Sequence, residues 1–334
     1  MAKTAALLSH PRAWMGAMVA TIALFGASQT HAAPQEIKIG YALAVNSHYG
    51  AGANAWAESV EKASDGRYVF KQFPASALGG ERESIEGLQL GTVEALIVST
   101  GTLSNFVPEV GVVDIPFLFR DISHARHVMD GPVGQELLQK FAPRGLVALA
   151  WGEQGFRHMT DNKHPVVTPD DLKGLKIRTM ENPVHITAFK TLGAAPTPMA
   201  WPEVIGALQQ GTIDGQENPL SVIVSAKLAE VQKYLTLSSH VYAPALLVVS
   251  PRLWNKLSDD DKKIFLDGAQ AGAQAMRAYV DDVDAKGVAA LTADGMQVNT
   301  IEDKTPFREA LAPAYKEYEA KYGKDLIDRI IQTQ

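Results

Sequence analysis

From residue 35 onward, short apolar runs alternate with runs whose apolar residues recur at helical spacing. Ile37 to Leu43 reads as a strand. Gly52 to Ser64 reads as a helix that sets Ala53, Trp56, Val60 and Ala63 on one side. Tyr68 to Phe73 is again strand, and Glu81 to Leu90 a helix stopped by Gly91. Glu94 to Val98 and Leu146 to Trp151 complete a first βαβ series, which predicts a mostly parallel sheet with helices on both faces. No internal repeat and no low-complexity linker interrupts the pattern.

A second series begins near Gly155. Leu175 to Arg178 is a strand, followed by a helix from Pro183 to Leu192 with Asn182 as its cap and Gly193 as its end. Another helix runs from Pro202 to Gln210, and a third starts at Pro219 and carries Val222, Ile223, Ala226 and Ala229. Ala245 to Ser250 is apolar throughout, as in the centre of a sheet. Ser258 and Asp261 then form a capping box. Behind it Phe265, Ala269, Gly272, Met276, Tyr279 and Val283 keep helical spacing, and the pattern runs to about Thr292. A helix that long outreaches one lobe and predicts a brace across two. The alternative is two helices broken near Gly287.

The first 32 residues have a different character. Lys3 and Arg12 precede or flank a short apolar run, Ala13 to Ala27, and Thr30-His31-Ala32 supplies small residues at a cleavage site. This predicts a signal peptide over 1–32, cut after Ala32, with a mature chain exported to the periplasm and not inserted in the membrane. Without Lys3 and Arg12, 29 basic residues face 37 acidic ones, a net charge of −8. An acidic chain with no dense basic cluster is a poor partner for nucleic acid. Zero cysteines exclude disulfides, thiol catalysis and zinc–thiolate sites. The length exceeds a usual single core, so two lobes are expected.

Signatures of catalysis are absent. Gly50 to Ala55 matches a loose dinucleotide fingerprint, but loop residues separate it from the strand before it, and Lys71-Gln72-Phe73 offers no acid for a ribose. No phosphate-cradling loop, Gly-x-Ser-x-Gly elbow or His-Glu-x-x-His helix occurs. His124 and His127 could share a helix face, yet no third metal ligand accompanies them, and they read as surface histidines. No metal and no cofactor is expected.

The arginines carry more. Leu175 and Ile177 face the core while Arg178 lies at the carboxyl end of its strand, where open α/β sheets bind ligands. A guanidinium fork matches a carboxylate, although Arg178 could equally pair with Glu181 on the surface. Arg157 could supply a second positive group or brace a hinge, and Glu217 could orient an arginine. Asn218 could donate to a carboxylate or cap a helix before Pro219. Trp201 could wall a pocket or simply pack.

Taken in order, Gly174 to Arg178, Glu181-Asn182-Pro183, Gly193 through Pro196-Thr197-Pro198-Met199-Ala200, and Asp214 to Pro219 resemble the solute-binding proteins of tripartite ATP-independent periplasmic (TRAP) transporters. Ser76 to Gly79 and Asp114-Ile115-Pro116-Phe117 resemble them too, and the likeness covers essentially the whole mature chain. It implies a two-lobed α/β periplasmic binding protein, type II-like, closing like a Venus flytrap and braced by the long helix. Lobe I would hold 35–154 plus about 244–283, and lobe II 155–243 plus about 284–334. Arg178 would clamp a ligand carboxylate and Asn218 assist it. Arg157 would lie near the ligand or hinge, and Trp201 would be the aromatic after the Pro-Met pair. Loops bearing Asn46, Ser47, His48 and Tyr49, then Glu81, then Ser99 and Thr100 would face the cleft.

With His48, Glu81, Ser99 and Thr100 as hydrogen-bonding groups, the expected ligand is a hydroxylated monocarboxylate such as a sugar acid. Ser99 stands where sialic-acid binders often carry an acid, which argues against a sialic acid. A C4-dicarboxylate would need a second cationic anchor, for which Arg157 is the candidate. TRAP membrane permease subunits are the implied partners, and a monomer is expected. The rival readings are a periplasmic sugar-acid lyase or hydrolase using Glu181, Glu217 or His48 as base, and a ligand sensor for a membrane kinase.

Overall fold

A computed structural model describes residues 33–334. The signal-peptide reading over 1–32 lies outside the described residues.

The strands are β1 Gln35–Tyr41, β2 Tyr68–Phe73, β3 Ala95–Ser99, β4 Val147–Asp161, β5 Lys176–Thr179, β6 Ala195–Pro198, β7 Gly215–Pro219, β8 Tyr234–Val249 and β9 Gln297–Thr300. They form one sheet in the order β2-β1-β3-β8-β4-β7-β5-β6, with β9 beside β8. Pairing is parallel within β2-β1-β3, within β7-β5-β6 and between β8 and β9. It is antiparallel where β8 meets β3 and β4 and where β4 meets β7. The expectation of a mostly parallel sheet therefore holds only for its two outer parts. The centre is antiparallel because β4 and β8 are long strands that run through both halves.

Each of those two strands was expected as a short apolar run and is about two and a half times as long. Val147 to Gly152 and Ala245 to Val249 join the half built on β1 and β3, while Arg157 to Asp161 and Tyr234 to Val241 join the half built on β7 and β9. Between them the β4–β8 register shifts at Glu153/Gly155 and again at Arg157/Met159. Such bulges bend and twist a strand pair.

The helices start and stop where their caps dictate. Asn182 accepts from the Val184 and His185 amides ahead of the helix Pro183–Thr191. Ser258 accepts from the Asp261 amide at 3.1 Å and starts the helix Asp259–Ala293. That helix is 35 residues long and unbroken at Gly287, which excludes the two-helix alternative. At 1.5 Å per residue it is about 52 Å long. It packs on the helix His48–Ala63 and on β4. The approach to the former is so close that a Cβ on Gly272 would lie 2.8 Å from the carbonyl oxygen of Gly52. Salt links tie the brace down elsewhere: Arg277 to Asp130 at 2.7 Å, and Asp281 to Arg126, which also binds the buried Glu153.

Two sequence expectations change, and the rejection of a dinucleotide loop at Gly50 to Ala55 stands. The helix after Pro219 is only Leu220–Ser225, and Pro219 itself ends β7. Gly50 to Ala55 lies inside the helix His48–Ala63, so it forms no phosphate-binding turn. His127 is exposed, but His124 is buried, not a surface residue. Its Nδ1 accepts from the Arg120 amide and its Nε2 meets the Ile330 carbonyl at 2.9 Å, which moors the C-terminal helix Lys324–Gln332. Among the described residues no helix is long and apolar enough to cross a membrane.

Candidate ligand-binding site

Three adjacent strands bring the candidate polar residues together. β7 lies between β4 and β5, with Arg157 opposite Pro219, His158 opposite Asn218, and Arg178 opposite Gln216. Arg157, Arg178 and Asn218 consequently reach one cavity at the carboxyl ends of β5 and β7. Glu81, Ser99, Gln154, Met180, Glu181 and Trp201 also line it. Counted over positions open to the centre of a water molecule, the cavity measures about 40 Å³.

Arg178 is 3% exposed, and its Nε and Nη2 both donate to the Met199 carbonyl, at 3.1 and 2.8 Å. Its guanidinium lies 5.8 Å from the Trp201 ring centre, within cation–π range. No carboxylate lies within ion-pair distance of it among the described residues. Glu181, the surface partner weighed above, instead faces Arg82 at 3.5 Å across the rim. Burial pulls the pKa of Arg178 down to about 10, with Glu217 and Glu81 opposing and Arg157 adding to the fall, so it stays charged at neutral pH. A buried cation with only a carbonyl partner is an anion site in waiting.

Arg157 differs. Its Nε and Nη2 fork onto the Glu217 carboxylate, and Nη2 also donates to the Glu217 carbonyl at 2.6 Å. Glu217 is fully buried; burial alone would raise its pKa, but Arg157, His185 and His240 hold it well below the usual carboxylate range. The pair is neutral overall, so Arg157 offers hydrogen-bond donors to the cavity more than net charge. Asn218 donates to the Gln216 side chain, which donates to Thr160 at 2.9 Å. It belongs to β7 and caps nothing, because the residue preceding the next helix is Pro219.

On the opposite wall, Glu81 accepts from the Ser99 amide at 3.0 Å and from the Thr102 hydroxyl at 2.6 Å. Burial raises its pKa, while those two donors, Arg178 and Arg157 pull the other way. Ser99 Oγ accepts from Gln154 Nε2 at 3.1 Å and from the Gly101 amide at 3.2 Å. With both lone pairs engaged, its proton is directed away from them, toward Met180 Sδ at 3.6 Å.

Five predicted residues do not reach the cavity, Asn46 and Ser47 among them, whereas Tyr49 lines it. His48 is buried in the first turn of its helix with its ring between Tyr49 and Tyr279. Neither ring nitrogen makes a hydrogen bond, and burial holds its pKa at about 3, with Gln154 opposing. Thr100 donates to Asp114 at 3.0 Å, behind the wall. Glu217 lies beneath Arg157, where it plays the orienting role foreseen for it. Gln154, Met180 and Arg82 line the cavity unforeseen. A signal for Met180 was present, since it lies two residues beyond Arg178 in extended chain, on the same side.

Residues 39–321 match the family described as bacterial extracellular solute-binding protein, family 7. Solved structures align over nearly the whole described chain. One is a TRAP periplasmic solute-binding protein from Bordetella bronchispeptica, with density assigned to pantoate. It is 59% identical with a TM-score of 0.88, covering 90% of this chain and 99% of that one. A second, from Polaromonas sp JS666 and bound to D-erythronate, is 53% identical with a TM-score of 0.89 over the same shares. A third is the sugar acid binding protein of Advenella mimigardefordensis in complex with galactonate, 37% identical with a TM-score of 0.87, covering 90% and 97%.

Proposed function

The chain belongs to family 7 of the bacterial extracellular solute-binding proteins, and on that footing we propose that it captures a short hydroxylated monocarboxylate for a TRAP membrane permease. It is a transporter's binding protein and not an enzyme, like its relatives. The observation that carries the ligand reading is Arg178, a buried guanidinium that donates to a carbonyl, pairs with no acid among the described residues, and faces a cavity. The carboxylate docks on Arg178, with Asn218 and Arg157 donating to its second oxygen and Trp201 closing the side. Ligand hydroxyls reach Glu81 and Ser99 on the far wall. Glu181 shapes the rim through Arg82, and Glu217 acts indirectly by holding Arg157. His48 and Thr100 support the wall without touching the ligand.

Charge favours a monoanion. Arg157 is matched by Glu217 and Arg82 by Glu181, leaving Arg178 as the cation without an acid. A second ligand carboxylate would meet Glu81. This argues against a C4-dicarboxylate. Pantoate and D-erythronate, held by the relatives at 59% and 53% identity, are hydroxy monocarboxylates built on a four-carbon chain. That agrees with a cavity of about 40 Å³, which at roughly 10–15 Å³ per water is room for about three or four waters.

Residues 1–32 act as an export signal cut after Ala32, placing the mature chain in the periplasm. Lobe I comprises 35–154 with about 244–283, and lobe II 155–243 with about 284–334. They hinge where the β4–β8 register shifts near Glu153 and Gly155. Ligand contacts made from both walls favour the closed form by their differential affinity for it.

Replacing Arg178 with alanine should weaken binding of D-erythronate by several kcal/mol, the scale for losing the partner of a desolvated charge. Calorimetry that found the affinity unchanged would refute the assignment.

A further inference from the structure

We propose that Met180 sets the length of the acid that this protein accepts. The inference rests on the reading that a ligand carboxylate docks at Arg178. Side chains of extended chain alternate, so Arg178 and Met180, the residue just past the end of β5, point to the same side, and both line the cavity. Arg178 fixes one end of the ligand there; Met180 governs how far the rest can extend.

The thioether of Met180 crosses to the opposite wall. Its Sδ lies 3.6 Å from Ser99 Oγ. It also lies 2.5 Å from where a Cβ on Gly101 would be, and its Cε lies 3.0 Å from that point. A side chain at 101 would force the thioether to move from this place. The side chain therefore bridges β5 and the Ser99–Gly101 turn, filling space that a longer ligand would need. Met180 is 8% exposed, yet it belongs to none of the three hydrophobic clusters that form the core. Its packing serves the cavity wall. Methionine suits such a place because its unbranched chain fills irregular gaps.

The wall it forms is also chemically plain. Sulfur is a weak acceptor and no donor, so this end of the cavity gives a hydroxyl little to bond. The polar readers Glu81 and Ser99 lie beside it, within reach of the carbons nearest the carboxylate. An acid of four carbons ends against the thioether, whereas one of six carbons must displace it. Alanine at 180 removes Cγ, Sδ and Cε and opens the end of the cavity towards Gly101.

The test is calorimetric titration of wild type, Met180→Ala, Met180→Thr and Met180→Leu with D-erythronate and D-galactonate. Wild type should favour the four-carbon acid. In the alanine and threonine variants the ratio of the two dissociation constants should move by about tenfold or more toward D-galactonate, the scale for adding or removing small groups in a pocket. Leucine, similar in volume, should keep the wild-type ratio. A ratio that does not move in variants that still bind D-erythronate overturns the proposal, as does a wild type that already prefers D-galactonate. If wild type binds no carboxylic acid, the reading of Arg178 fails first and takes this one with it. Because Met180 packs at the cavity wall and in none of the three apolar clusters, both truncations should still melt cooperatively.

Discussion

Two arginines of the same cavity have opposite electrostatic lives. Arg157 is spent on Glu217, and Arg178 is not spent on any acid. The sequence marked both but could not rank them, because an ion pair 60 residues apart is invisible in a linear chain. Strand ends drew attention to Arg178 and Asn218, since such sheets bind ligands there, and the family resemblance made them the leading candidates. His48 and Thr100 were assigned to the cleft from their neighbours. Yet each turns away, His48 into an aromatic nest and Thr100 toward Asp114. His48→Phe should thus leave D-erythronate affinity unchanged while altering acid stability. His48, His158 and His185 are held neutral down to about pH 3 by burial, against 6.5 for an ordinary histidine. Their contribution is fully present above the unfolded value and is lost as pH falls toward the folded one. Asp114 and Asp284, raised by burial to about 7 and about 6, act in the opposite sense, losing stability as pH rises through those values. Removing His48 removes one proton taken up on unfolding. Urea titrations between about pH 6 and about pH 5 should show a slope smaller by about 1.4 kcal/mol per pH unit.

Among elements, helix boundaries were read well and the central strands poorly. Caps and prolines are local signals, so Asn182, Ser258 and Gly193 marked their helix ends correctly. β4 and β8 escaped because their far halves carry Gln154, Arg157, His158, Ser238 and His240, polar residues that a pattern of apolar runs discards. Several of their hydrogen bonds are tertiary: Gln154 to Ser99 at 3.1 Å, His240 to Glu217 at 3.2 Å. The brace helix was legible in length but not in how closely it packs. Gly272→Ala places a Cβ against the Gly52 carbonyl, a backbone atom that cannot swing aside. Overpacking of that kind should cost about 1–3 kcal/mol, seen as a lower urea midpoint with an unchanged slope. A midpoint equal to wild type would mean that the two helices separate more easily than the packing implies.

At the scale of the molecule, two halves share β4, β8 and the brace helix. This architecture was foreseen from the family resemblance more than from periodicity, which suggested a parallel sheet throughout. One hydrophobic cluster nonetheless runs through both halves, joining Leu96 and Trp151 to Ile177 and Tyr318. Closure of the proposed lobes would then bend the shared strands near their register shift. Small-angle scattering should register a smaller radius of gyration when D-erythronate is added to wild type, and no change with Arg178→Ala. An equal contraction in that variant would uncouple closure from the carboxylate.

Across the rim, Arg82 meets Glu181, and Asn105 reaches the Glu181 carbonyl at 2.6 Å. The chain has no thiol of its own. A cysteine placed at Arg82 would take a solvatochromic dye at that position alone, and the emission of the dye would follow the mouth as it shuts. The receptor could in this way be converted into an optical gauge of its own cargo, readable in a culture supernatant without the transporter.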